Sequence, residues 1–228
     1  MRLKSAFLMN EINKSEDAFK RRGQKNYRNY LIQMKKNDKN KIVIFASGAG
    51  SNAQKIIDYF KERKTAEIVL IVCNNPKAAV LQIAAKESIP VLLIEKNEFS
   101  KTGYLNEIKK LEPDLIILAG FLWKIPQALI ENFPHQIINI HPALLPNYGG
   151  KGMYGNAVHT AVIEAKEKES GITIHYVDEK YDHGETILQA KCKVTEVDNA
   201  ESLAKKIHEL EHEYFPKTID EILTRMNS

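Results

Sequence analysis

The chain has 228 residues, 43% hydrophobic and 27% charged, the composition of an ordinary globular protein with enough length for one sizeable core. No apolar run approaches the roughly 20 residues needed to span a bilayer, and no signal-type apolar stretch follows the charged N-terminus. Two cysteines, Cys73 and Cys192, are too few for a disulfide framework and read as reduced core thiols, so a soluble cytoplasmic protein is expected.

The net charge of +4 is unevenly placed, because residues 1–40 hold eleven Lys/Arg against four Asp/Glu and the remainder is net negative. A basic head such as Lys20-Arg21-Arg22-Gly23-Gln24-Lys25 has the charge to touch nucleic acid or anionic lipid. Its composition favours a solvated, poorly ordered extension, with neither a nucleic-acid nor a membrane partner expected. Met34 offers a second possible start close to the first strand.

From Lys41 the pattern changes. Ile42-Val43-Ile44-Phe45-Ala46 is an apolar run, and Gln54 to Phe60 follows at helical spacing. A second run, Ile68 to Cys73, ends at Asn74-Asn75-Pro76, before a helix predicted over 77–88. Pro90 opens Val91-Leu92-Leu93-Ile94, and a charged helix is predicted around 103–111. Asp114 to Gly120 is the fourth run, 125–133 another helix, and Gln136 to Ile140 the fifth run. Val/Ile/Leu runs alternating with helices predict a Rossmann-like α/β fold, an open, mostly parallel sheet with helices on both faces. Ile172 to Val177 alternates, Asp182-His183-Gly184 turns, and a strand returns over 186–194, which predicts an antiparallel C-terminal pair. A final helix is expected over 200–215, stopped near Pro216.

Ser47-Gly48-Ala49-Gly50-Ser51-Asn52 joins the first run to its helix. Glycines permit close backbone approach, and the N–H groups and positive dipole end of the helix suit a phosphate. Ser51 or Asn52 is expected to cap the helix as well. The loop also fits a loose dinucleotide fingerprint, but the second strand ends in Cys73-Asn74-Asn75, without the acid that would hold a nicotinamide cofactor's ribose.

Asn139 interrupts an apolar strand and His141 ends it, held extended by Pro142. Two residues apart on a strand, they face one way, at the carboxyl end where ligands gather in open α/β sheets. The seven histidines have no neighbouring Cys or paired carboxylates at ligand spacing, so no metal is expected. His159 and His183 read as surface residues.

Asn139-Ile140-His141-Pro142-Ala143-Leu144-Leu145-Pro146 resembles the signature of the folate-dependent formyltransferases, and Asp178-Glu179-Lys180-Tyr181-Asp182-His183-Gly184 resembles their second signature. The resemblance extends over about residues 41–222 and implies a formyltransferase domain at 41–228 behind the 1–40 extension. It implies transfer of a formyl group from 10-formyltetrahydrofolate, as co-substrate, to the amine of glycinamide ribonucleotide in purine biosynthesis. The implied partners are small-molecule substrates, with the protein a monomer or homodimer.

By the same resemblance the catalytic trio falls on Asn139, His141 and Asp182. Gly50, Ser51 and Asn52 match the substrate-phosphate loop, and His208 and Glu211, three apart on one helix face, match ribonucleotide contacts. Lys101, Leu122, Trp123, Lys124, Ile125 and Asn139 match folate-side positions, and His175 an active-site wall position that packing alone would also explain. Trp123-Lys124 departs from the family's basic-then-apolar order. The loop Tyr148 to Gly155 lacks the frequent His-x-His piece, and its Lys151 is a candidate anion contact. The alternatives are a formyltransferase acting on another amine, such as a sugar nucleotide, and a nicotinamide-dependent oxidoreductase.

Overall fold

A computed structural model describes residues 39–99 and 101–228. Asn40–Ser228 form one compact unit, and the expectation for the basic head lies outside the described residues apart from its last two positions.

The apolar runs become seven strands: β1 (Asn40–Ala46), β2 (Ala66–Cys73), β3 (Val91–Leu93), β4 (Leu115–Leu118), β5 (Ile137–His141), β6 (Glu169–Tyr176) and β7 (Thr186–Lys193). They form one sheet in the order β3-β2-β1-β4-β5-β6-β7. Pairing is parallel from β3 to β5 and antiparallel from β5 to β7, as the sequence predicts.

The unbroken Ile/Val pattern of β1 follows from burial on both faces. Ile42, Ile44 and Ala46 pack into one cluster, with Ile56, Phe60, Phe215 and Ile219, while Val43 and Phe45 pack into the other, with Ile108, Leu129 and Ile137. Each large side chain fully removed from water contributes about 1.5–3 kcal/mol. A charge at Ile44 would therefore break the centre of the sheet.

Helices cover the faces: α1 (Ser51–Arg63), α2 (Val80–Glu87), the short α3 (Lys96–Phe99), α4 (Gly103–Lys109), α5 (Gln127–Asn132), α6 (Asn156–Glu164) and α7 (Ala200–Met226). Among the described residues no helix is long and apolar enough to cross a membrane.

Three departures from the sequence reading concern helices. Neither the short α3 nor α6 is among the predicted elements. The last helix does not stop near Pro216 but continues ten residues further, to Met226. Proline there removes one bond, to the carbonyl of His212. The helix survives because Phe215, Ile219, Ile222 and Leu223 are buried on either side of the gap. Its start carries a capping box, Asn199 accepting from the Ser202 N–H while the Ser202 hydroxyl accepts from the Asn199 N–H.

The topology fixes where ligands can sit. The chain leaves β3 at one edge and returns to β4 beside β1, so a crevice opens beyond the carboxyl ends of β1, β4 and β5.

Candidate active site

Asn139 on β5 lies directly opposite His175 on β6 in the antiparallel ladder, so their side chains share a face. His175 Nδ1 is 2.7 Å from the Tyr176 carbonyl, which can only accept, so Nδ1 carries the proton. The bare Nε2 then accepts from Asn139 Nδ2 at 3.1 Å. Burial of His175 lowers its pKa, against the pull of the Tyr176 carbonyl and the Asp182 charge, so the ring is held neutral. The orientation of the Asn139 amide is set by this bond.

His141 ends β5 and is buried. Its Nε2 donates to the Tyr148 carbonyl at 2.8 Å, and its Nδ1 faces Asp182 Oδ1 at 3.5 Å. The same carboxylate oxygen is 3.8 Å from His175 Nε2. Asp182 Oδ2 accepts from the Gly150 N–H at 2.9 Å. Asp182 itself has φ +50°, a left-handed conformation in which Asp is among the better tolerated residues. His141 and His175, from neighbouring strands, thus both approach Asp182 in the turn before β7, and Asn139 bonds His175 beside them. Gly149 permits it: a Cβ there would meet Leu145 Cδ2 at 2.5 Å and Asp182 Cβ at 3.3 Å.

A cavity of about 770 Å³ extends from this point. It is lined by Asn139, His141 and Asp182 at one end and by Gly50, Ser51, Asn52, His208 and Glu211 elsewhere along its wall. Gly50, at φ +78°, precedes α1 and makes no side-chain cap; a Cβ there would sit 2.8 Å from Val80. The expected cap from Ser51 or Asn52 is therefore absent, because both lie inside the first helical turn. No side chain caps the N–H groups of that turn. Asn52 turns instead to α7, where its Nδ2 donates to Glu211 Oε2 at 2.9 Å. His208 Nδ1 reaches the same oxygen at 2.9 Å, and the carboxylate raises the histidine's pKa.

Residues 40–219 match the family described as formyl transferase. The chain belongs to this family. It is 38% identical over 189 residues to the chloroplastic phosphoribosylglycinamide formyltransferase of Arabidopsis thaliana, covering 80% of this chain and 65% of that protein. With the Bacillus subtilis phosphoribosylglycinamide formyltransferase it shares 35% identity over 189 residues, 80% of this chain and 94% of that one. The chain thus spans less than two thirds of the plant relatives' length, 65% and 60%, but nearly all of the bacterial one. A crystal structure of phosphoribosylglycinamide formyltransferase from Bacillus halodurans superimposes with a TM-score of 0.75 at 31% identity, covering 82% of this chain and 97% of that one.

On this formyl transferase fold, the other positions singled out from the sequence are dispersed. Leu122 is half exposed at the large cavity. Trp123, Lys124 and Ile125 line a second, smaller cavity of about 70 Å³, which also touches Asn139, His175 and Asp182. The two cavities therefore share Asn139 and Asp182. Trp123 stacks at a tilt on Phe99, 5.6 Å between ring centroids. Lys101 does not join these residues: it pairs with Glu98 at 2.6 Å on the surface and lines neither cavity. Lys151 does line the large one. Among the described residues no group of three or more His, Cys, Asp or Glu is placed to hold a metal.

His159, read from the sequence as a surface residue, is buried, 4% exposed, on α6 beside Val158 and Val162. Its spacing of three from Val162 was the signal available. His183 is exposed and bonds Asp178 at 2.6 Å. The Tyr148 carbonyl that holds His141 has no signature in sequence.

Proposed function

We propose that the chain transfers the formyl group of 10-formyltetrahydrofolate to the primary amine of glycinamide ribonucleotide, a step of purine biosynthesis. It acts on small-molecule substrates in the cytoplasm, as a monomer or homodimer. The single observation that carries this reading is the meeting of two cavities at Asn139 and Asp182, with His141 in the wall of the larger one. One cavity contains a helix N-terminus suited to a phosphate, and the other combines apolar and aromatic walls, Phe121, Trp123 and Ile125 among them, with polar groups that could fix a flat heterocycle. The names of the relatives point the same way.

The chemistry follows from formyl transfer as acyl transfer. The lone pair of a neutral amine forms a bond to the formyl carbon, and the carbonyl electron pair moves to oxygen. Asn139 offers an amide N–H to that oxygen and needs no ionisation. The Nε2–H of His141 is held by the Tyr148 carbonyl, so the N–H it offers to the formyl oxygen is that of Nδ1 when this nitrogen, beside Asp182, carries a proton. This class of interaction is worth about 2.7–4 kcal/mol per donor. Collapse of the tetrahedral intermediate returns the pair to the carbonyl and breaks the bond to the folate nitrogen, which takes up a proton as the amine loses one. Asp182, beside His141, orients the imidazole for these transfers, directly or through a water. The phosphate lies at Gly50, Ser51 and Asn52, with His208 and Glu211 beside the sugar. Leu122, Trp123, Lys124 and Ile125 face the folate.

The test is direct. Purified protein with both substrates should release deformylated folate only when the amine is present. Release at the same rate without the amine, or none with it, would overturn the reading.

A further inference from the structure

His159 presents an unexplained polar group at the wall of the large cavity. It sits on α6 between two buried valines, where an apolar side chain would pack without desolvating a ring nitrogen. Its Nδ1 is sealed from solvent and has no partner. Among the described residues its Nε2 has no hydrogen-bond partner and it is not sealed, so it is the ring nitrogen open to the cavity the residue lines. His159 shares the wall of this cavity with the sugar-side pair His208 and Glu211 and with His141 of the trio, and the charges of all three act on its ring. Burial also lowers its pKa, which leaves a neutral imidazole with one donor and one acceptor.

We propose that His159 contacts the substrate, its Nε2 hydrogen-bonding a ribose hydroxyl of the bound sugar phosphate between the phosphate loop and the amine. A hydroxyl both donates and accepts, so it suits either tautomer of the ring, whereas a carbonyl or a phosphate oxygen suits only one. A ligand hydroxyl would satisfy one nitrogen of a ring that is otherwise without a hydrogen bond among the described residues. The inference rests on the ribonucleotide reading above and adds to it a residue that the family signatures do not mark.

The experiment compares wild type, His159→Leu and His159→Gln as full chains, measuring kcat and KM for each substrate together with thermal melting. His159→Leu should raise KM for glycinamide ribonucleotide about three- to tenfold, the loss of one hydrogen bond, and leave KM for the formyl-folate within about twofold. His159→Gln should recover part of the loss. A folded His159→Leu protein with an unchanged ribonucleotide KM, or with both KM values raised equally, would overturn the assignment. Independently of any variant, ¹⁵N-histidine NMR of wild type should show the His159 Nε2 resonance shift on adding the ribonucleotide; no shift overturns it too. Wild type that neither binds nor formylates the ribonucleotide sinks the functional reading and this inference together. Normal wild-type turnover with an indifferent His159 sinks this inference alone.

Discussion

Asn139 and His175 are paired across the β5–β6 ladder, with the amide nitrogen of one 3.1 Å from the bare ring nitrogen of the other. A buried, neutral histidine thus aims the amide that would meet the oxyanion. Replacing His175 with Leu keeps the volume near constant but removes the acceptor. The expected outcome is a fall in kcat of roughly tenfold or more, with KM for both substrates changed less, since a misaimed donor chiefly weakens the transition state. Steady-state kinetics with each substrate varied in turn would show the split.

Asn52 and Glu211 join α1 to α7 through the 2.9 Å bond between them. Asn52→Ala removes a donor to a buried carboxylate and perturbs the loop before α1. KM for the ribonucleotide should rise about tenfold while KM for the formyl-folate stays nearly constant. Calorimetric titration with the ribonucleotide checks it.

Lys151 lines the large cavity from the glycine-rich loop clasped by Asp182. If it contributes to anion binding, Lys151→Ala should raise the ribonucleotide KM by about two- to fivefold, an effect that shrinks as salt is added. The check is the same KM measured at two ionic strengths.

Stability should fall on the acid side of neutrality. His159, His175 and His212 have pKa values held below 6.5 by burial. Between their folded values and 6.5 the unfolded chain binds more protons, so their neutral burial stabilises fully above 6.5 and is lost as pH drops through that window. His208, raised by Glu211, acts in the opposite sense: its contribution is present below 6.5 and lost as pH rises through its folded value. The three lowered groups therefore pull the melting temperature down from pH 7.5 to 5.5, against the opposite pull of His208. His175→Gln should flatten that slope.

The sheet was legible because β1 and β4 are buried on both faces, and such strands can hardly be written except as unbroken Ile, Val, Leu and Phe. Asn139 and His141 were legible because a polar residue inside such a run is anomalous. His159 was not. Its spacing from Val162 marks a shared helix face, but only the fold says whether that face meets an internal cavity or solvent. The continuation of α7 past Pro216 was hidden for a similar reason, since the burial that offsets the missing bond is tertiary. The absent side-chain cap on α1 has another cause: Gly50, held by the crowding of Val80, takes the capping position.

The most direct test is the turnover of Asp182→Asn at saturating formyl-folate and ribonucleotide. The substitution keeps an oxygen able to accept from the Gly150 N–H and deletes the charge 3.5 Å from His141. A fall in kcat of about a hundredfold or more, with little change in either KM, is the predicted result. Turnover near that of wild type would contradict a formyl-transfer centre built on Asn139, His141 and Asp182.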